Sequence, residues 1–345
     1  MKRKIKMGMA GGGPGSVIGA VHRAAARLDG KIDLIGGAFS RDRDKTLAQG
    51  SELFLPEYRC YRSYDEMMEF ENELPPEERI DCITIVAPDA IHYDIATKAL
   101  KSGFHVICEK PMALSLEDAR ALADQVRESG LIFALACNYN GYSMLRQARA
   151  MIQDGEIGEI TSVTVEYPQG RLDGAAENLV EYVTGHPITE VCADLLAAES
   201  RILSPGDNIL TRFANGARGV LTGVRRENDL FLRIDGTLGT LEWRLASPDS
   251  LTVKRDGQPL QVFCRHQETV PAATSRTPAG YPEGFLEAFA NVYTRFAEAV
   301  WAHVDGDRKF VPDFPNAADG FRGVAFVEAI VKSAGGDRKW TSLDS

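Results

Sequence analysis

The stretch IKMGMAGGGPGSVIGAVHR, residues 5–23, decides the fold. An apolar run, Ile5–Ala10, reads as a strand and ends in Gly11-Gly12-Gly13-Pro14-Gly15. Helical spacing then runs from Ser16 to Leu28. A strand, a glycine-rich turn and a helix, in that order, open a βαβ unit. Glycine there permits a tight turn and close backbone approach, and the helix N-terminus offers free N–H groups to a pyrophosphate. The spacing departs from G-x-G-x-x-G, because Gly11-x-Gly13 is followed by Gly19 only after five intervening residues. The bland alternative is a flexible turn. Its position in the first βαβ unit favours the phosphate reading.

The alternation continues downstream. Ile32–Phe39, Ile80–Ala87, Phe104–Cys108 and Leu131–Cys137 read as strands, separated by helical patterns at Arg43–Gly50, Ser63–Leu74, Ala90–Ser102 and Ser115–Ser129. Such alternation implies a parallel sheet with helical crossovers. After a helix at Ser143–Asp154 the pattern changes to closely spaced β-rich runs: ITSVTVEY, ITEVCADLL, NILTRF, GVLTGVRR, DLFLRID, GTLEWRL and SLTVKR. Asn215-Gly216, Asp235-Gly236 and Asp256-Gly257 read as the turns between them, giving a largely antiparallel sheet. A helix near Glu283–His303 carries Phe285, Phe289, Val292, Phe296 and Val300 as a core stripe. The expectation is an α/β chain in two domains. Residues 1–140 form a Rossmann dinucleotide-binding domain. Residues 141–345 form an α+β substrate and oligomerisation domain with a large, open, mainly antiparallel sheet, the last helix being free to pack back on the first domain.

Composition excludes other classes. A formal charge of −10, from 39 basic and 49 acidic residues, argues against a nucleic-acid or anionic-membrane partner. No run of 18 apolar residues is present, and the basic N-terminus lacks the apolar segment of a signal peptide. Six scattered cysteines without C-x-x-C, and histidines without metal spacing, read as buried reduced thiols in a cytoplasmic protein with no metal.

Two strand ends bear on chemistry. The second strand ends Gly37-Ala38-Phe39-Ser40-Arg41, with no acid to hold a ribose 2′-hydroxyl, although Asp42 follows. Ser40 and Arg41 there suit a 2′-phosphate, so NADP is favoured over NAD. The alternative is a solvated arginine. The run HVICEKPM, residues 105–112, ends in Glu109-Lys110-Pro111, and proline stops the ladder. That leaves an acid and a base at the sheet edge where ligands bind. A lysine at a desolvated edge can act as a base or oxyanion stabiliser for a carbinol oxygen. The alternative is an exposed ion pair. His22 and His105 read as structural.

Three features together resemble the Gfo/Idh/MocA oxidoreductases: GGGPGSVIGAVHR, IVAPDAIHYDIA at 85–96, and CEKP at 108–111. NYNGY at 138–142, VEYPQG at 165–170 and YPEGFLEAFANVY at 281–293 extend the resemblance over the whole chain. It implies a Rossmann domain followed by an open-sheet domain, and NAD(P)-dependent hydride transfer at a sugar, cyclitol or related polyol. It implies that Gly11, Gly13, Gly15, Ser16, Val17 and Ile18 line the pyrophosphate. Ala87, Pro88 and His92 would lie beside the nicotinamide ribose, with Glu109 and Asn138 also at the cofactor. Lys110 would face both the cofactor and the substrate hydroxyl. A homodimer or homotetramer built through the β-rich domain is implied as well.

The chain departs from the family at one element. The resemblance implies an Asp-x-Gly-x-His sequence opening a helix, its Asp and His near the lysine. Here YPQGRLDGAAENLVEYVTG, residues 167–185, has Ala175 in the histidine's place. Asp173 is the carboxylate left to take a catalytic role. Two hypotheses follow: a dehydrogenase acting through Lys110 and Asp173, or a dinucleotide-binding sensor or partner subunit without turnover.

Overall fold

The computed structural model describes residues 2–197, 201–225, 230–267, 275–278, 280–337 and 340–343. The chain divides into two units: Met1–Asn138 with Phe289–Phe321, and Tyr139–Ala288 with Arg322–Ser345. The first unit is thus discontinuous, where the sequence reading places a single break at 140. The returning segment begins within the helix before the last one.

The first unit contains β1 (Ile5–Gly11), α1 (Val17–Leu28), β2 (Ile32–Ala38), α2 (Arg43–Glu52), α3 (Tyr64–Glu73), β3 (Cys82–Val86), α4 (His92–Lys101), β4 (His105–Cys108), α5 (Leu116–Ser129) and β5 (Phe133–Leu135). Its five strands are all parallel, in the order β2-β1-β3-β4-β5. Every residue of β3 and β4 is buried, as expected for strands covered on both faces. A lone parallel bridge from Gly37 to Cys60 lies beyond β2. It stands where a 3-2-1-4-5-6 sheet has its third strand, here reduced to one residue. Arg59 and the Tyr61 hydroxyl both donate to the buried Glu71 carboxylate, at 2.5 and 2.6 Å, and hold this segment without a ladder.

Helix starts follow local chemistry. Ser63 and Ser115 cap α3 and α5 by accepting the amides of Glu66 and Asp118. The Ser115 hydroxyl also donates to the Asp118 carboxylate at 2.8 Å.

His105, on β4, accepts the Ile132 amide at 2.9 Å and meets His303 edge to face. Burial, reinforced by His303, lowers its pKa from 6.5 to about 4. The unfolded chain therefore binds the extra proton between these values, and folding stability falls as pH drops from 6.5 toward 4. The expected loss is about 3 kcal/mol. Urea melts across that range should show a shallower acid slope for His105→Gln. An unchanged slope would place the titration elsewhere.

The second unit contains α6 (Ser143–Gln153), β6 (Ile160–Pro168), β7 (Gly170–Arg171), α7 (Ala175–Thr184), β8 (Ile188–Asp194), β9 (Ile202–Leu203), β10 (Asn208–Phe213), β11 (Arg218–Val224), β12 (Phe231–Gly236), β13 (Gly239–Arg244), β14 (Ser250–Arg255) and β15 (Gln261–Cys264). It continues with the start of α8 (Phe285–Val304), most of α9 (Ala317–Gly335) and β16 (Thr341–Ser342). Nine strands form one sheet, β15-β14-β13-β12-β6-β11-β10-β8-β16, antiparallel throughout except for β6 with β11. Alternation puts Val163, Val165, Leu232, Ile234, Leu241 and Trp243 into one core with residues of α6 and α7. The outward row across β8, β10, β11, β6, β12 and β13 reads Cys192, Leu210, Val220, Thr164, Arg233, Glu242. That row runs from apolar side chains at one end to charged ones at the other.

Some expectations need correction. Asp235-Gly236 is no turn: both residues lie in β12, and the chain reverses at Thr237-Leu238. Arg233, Ser162 and Thr240 bind the Asp235 carboxylate and keep it in the strand. A Cβ on Gly236 would lie 2.1 Å from the Ile157 carbonyl oxygen, so this glycine serves close approach rather than turning. Phe285 is half exposed, whereas Phe289, Val292, Phe296 and Val300 are buried. Of the six cysteines, all free, Cys264 is exposed and Cys192 only partly buried. Among the described residues no helix is long and apolar enough to cross a membrane.

Candidate active site

The order β2-β1-β3 reverses direction at β1, and ligands in such sheets bind outside the carboxyl ends at that switch point. There the Gly12 amide donates to the Val86 carbonyl at 2.9 Å, tying the loop to the end of β3. Gly11, Gly12 and Gly15 have φ of +86°, +67° and +79°, which favour glycine. A Cβ on Gly11 would lie 2.3 Å from Val86 O, and one on Gly13 would lie 2.7 Å from Phe39 O. A Cβ on Gly19 would lie 2.6 Å from the Gly12 Cα. Despite the longer spacing, Gly19 thus packs α1 against the loop, as the third fingerprint glycine does.

Ser16 caps α1 by accepting the Gly19 amide at 3.1 Å. The preceding first-turn amides have no acceptor within the helix and, with its dipole, suit an anion. Arg23, which the sequence reading did not single out, donates to Gly12 O at 2.6 Å and braces the loop from behind. Its presence on the helix that follows the loop was the available signal.

A cavity of about 560 Å³ opens here. It brings together the expected Gly11, Ser16, Ile18, Ser40, Arg41, Ala87 and Pro88, and adds Arg62, Ser63 and Tyr64. Gly13, Gly15 and Val17 lie outside its lining, Val17 being 81% exposed. At the end of β2, Ser40 is held by two hydrogen bonds of 3.0 Å, both to the Thr46 hydroxyl. The nearby acid is engaged: Asp42 Oδ1 accepts the Asp44 amide at 3.0 Å and caps α2. Arg43 donates to the Cys60 carbonyl.

His92 does not line the cavity. It is buried, its Nε2 lying 2.7 Å from Ala87 O and its Nδ1 2.8 Å from Pro111 O. It stitches the loop after β3 to the loop after β4, and both ring nitrogens are taken up by backbone.

At the end of β4, the Glu109 amide continues the ladder to Ile85 O at 3.0 Å. The Glu109 Oε1 lies 2.7 Å from His22 Nε2, and its Oε2 accepts the Lys110 amide at 3.0 Å. Burial works to raise the Glu109 pKa, but the bonds from His22 and the Lys110 charge and amide outweigh it, and the carboxyl titrates low. His22, expected to be merely structural, therefore contacts the Glu-Lys-Pro edge; its location on α1 gave no hint of the partner. Lys110 is partly exposed, and the Lys110–Pro111 bond is cis. Asn138, 5% exposed, begins a short turn after β5, and its Nδ2 has no hydrogen-bond partner among the described residues.

Asp173 and Ala175 belong to the second unit. Asp173 Oδ1 accepts the Ala175 amide at 3.1 Å, at the start of α7. Gly174 has φ +83°, and a Cβ there would meet the Gly323 Cα at 2.6 Å. The first turn of α7 thus lies backbone to backbone against α9, and Ala175 is buried, 1% exposed.

Two family descriptions match the chain. Residues 5–137 match "Oxidoreductase family, NAD-binding Rossmann fold", and residues 207–343 match "Oxidoreductase family, C-terminal alpha/beta domain". An inositol dehydrogenase homologue from Azotobacter vinelandii, solved with NADH and myo-inositol, is 30% identical, with a TM-score of 0.91 over 99% of this chain and 98% of that one. An oxidoreductase from Sinorhizobium meliloti is 37% identical, with a TM-score of 0.90 over 98% and 99%. An uncharacterised oxidoreductase of Bacillus subtilis (strain 168) is 27% identical over 386 residues, covering 99% of this chain and 98% of its own.

Proposed function

The chain belongs to the Gfo/Idh/MocA family of oxidoreductases, and from that premise we propose that it transfers hydride between NADP and the carbinol carbon of a cyclitol, sugar or related polyol. The observation that carries this reading is Lys110 at the carboxyl end of β4, in the same unit as a switch-point cradle that only glycines fit. The inositol bound by the Azotobacter vinelandii homologue supports the polyol class.

When bound, the dinucleotide supplies the hydride acceptor or donor. The backbone of Gly11, Gly13 and Gly15 and the first turn from Ser16 to Ile18 bind its pyrophosphate. The orphaned Asn138 amide gives a further donor, and Ala87 and Pro88 flank the ribose. Lys110 Nζ takes the proton from the substrate hydroxyl during oxidation and returns it during reduction. Asp173, oriented by its bond to Ala175, supplies a carboxylate to the substrate. The uncovered sheet face receives a second copy of the chain.

A panel of inositols, hexoses and pentoses, followed by the absorbance of reduced nicotinamide, tests this function. Turnover of any one supports it. Tight dinucleotide binding without any turnover would favour the sensor reading, which the buried Ala175 supports.

Cofactor choice follows from charge. With Asp42 engaged as a cap, Arg41 and Arg62 are the charged side chains of the cavity lining, beside Ser40 and Ser63. Arg41→Ala is expected to weaken NADP roughly tenfold or more, the worth of one charge-assisted hydrogen bond, and NAD within about twofold. Calorimetric titration with both dinucleotides checks this. Equal losses would remove the phosphate clamp.

A further inference from the structure

We propose that His22 and Tyr293 are positioning residues that fix the strand end bearing Lys110, acting through the Glu109 carboxylate. This rests on the reading that Lys110 serves the substrate hydroxyl. The chain of contacts is continuous. Tyr293 Oη lies 2.7 Å from His22 Nδ1, and His22 Nε2 lies 2.7 Å from Glu109 Oε1. Glu109 Oε2 accepts the amide of Lys110 itself at 3.0 Å. The Tyr293 hydroxyl also lies 3.4 Å from Thr84 Oγ1, on β3.

Every inner member is out of solvent: His22 and Thr84 are 0% exposed, and Tyr293 is 2% exposed. A buried polar chain destabilises a fold unless each group is satisfied, and apolar residues would pack the same space at less risk. Its retention here is explained by what its outer end does. The two Glu109 oxygens have different partners, one on α1 and one on its own chain. A single carboxylate therefore sets both its own rotamer and the direction of the Lys110 backbone.

The hydrogen-bond chemistry is directional as well. A carboxylate only accepts, so Nε2 of His22 carries the proton toward Glu109. In the neutral ring Nδ1 then accepts from the Tyr293 hydroxyl. His22 also packs edge to face against Phe289 at 5.1 Å and Tyr293 at 5.8 Å, which locks the ring plane. Phe289 and Tyr293 lie on the segment 289–321 that returns to the first unit. That return adds a side-chain support, through His22, to the backbone bond that Ile85 of β3 gives the Glu-Lys-Pro edge. The groups facing Glu109 are His22 from α1, Lys110 and Cys108 from its own strand end, and Tyr293 from α8.

The test uses the full chain with His22→Leu, His22→Gln and Tyr293→Phe. Glutamine keeps a donor for Glu109, leucine keeps only bulk, and phenylalanine removes one hydroxyl without changing packing. Competitive acylation, read at Lys110 by peptide mass spectrometry against the exposed Lys45, reports the lysine's surroundings without turnover. The expected result is a change of about threefold or more in Lys110 labelling for His22→Leu, a smaller change of the same sign for Tyr293→Phe, and recovery in His22→Gln. With a turned-over polyol, His22→Leu is expected to lower kcat about tenfold or more with KM within about threefold. Labelling within about twofold of the parent in all variants, or equal in leucine and glutamine, would overturn the proposal. A parent chain without turnover but with shifted labelling would overturn the oxidoreductase reading and uphold the positioning chain. Turnover with unshifted labelling would do the reverse.

Discussion

Lys110→Ala is expected to lower kcat by about 10²–10⁴-fold with any polyol the parent oxidises, while dinucleotide affinity stays within about threefold. Removing the ammonium deletes the group that exchanges a proton with the carbinol oxygen, and general acid–base catalysis is worth that much. The cavity proposed for the dinucleotide is lined by residues at the ends of β1, β2 and β3 and by Arg62, Ser63 and Tyr64, and Lys110 lies outside that lining. The bond that anchors Lys110 to Glu109 uses its backbone amide, so alanine leaves it in place. Lys110→Arg is a stricter test, because guanidinium keeps the charge but does not accept a proton near neutral pH. It should be nearly as impaired as alanine. Full activity in arginine would reduce Lys110 to an electrostatic role.

Gly11→Ala should cost more stability than any other single methyl added to the phosphate loop. An L-residue at φ +86° is strained by about 1–2 kcal/mol. The added Cβ would also stand 2.3 Å from Val86 O, the acceptor for the Gly12 amide. That oxygen belongs to the backbone of β3 and cannot move without parting β3 from β1. With overpacking worth about 1–3 kcal/mol, the sum is roughly 2–5 kcal/mol. The melting temperature should fall by roughly 10 °C, and dinucleotide binding should be lost. Gly15→Ala is the control. Its φ is +79°, but a Cβ there meets nothing within 4 Å, so only the backbone strain remains. Equal losses in the two variants would refute the steric account.

These contrasts show what could be read from the sequence. Strands β3 and β4 were legible because burial on both faces leaves continuous apolar runs. The end of β4 was legible because Pro111 cannot continue a ladder. Local capping was legible too, since Ser115 and Asp118 lie three residues apart. Distant pairings were not. Nothing local says that Gly19 meets Gly12, or that a tyrosine at 293 binds a histidine at 22. Asp235-Gly236 has turn composition, yet Ser162 and Thr240 from the two neighbouring strands, with Arg233 of its own strand, hold the aspartate in a strand. The absence of a histidine at 175 was plain in the sequence. Its setting was not, because it depends on the approach of Gly174 to Gly323 from the far end of the chain.

The central claim is hydride transfer from a carbinol carbon. It is tested most directly by incubating the chain with NADP and polyols deuterated at the carbinol carbons, then weighing the recovered cofactor by mass spectrometry. Deuterium is expected in the reduced nicotinamide for at least one polyol, and none when Lys110→Ala replaces the parent over the same time. Reduced cofactor without deuterium, or equal transfer by Lys110→Ala, would contradict it.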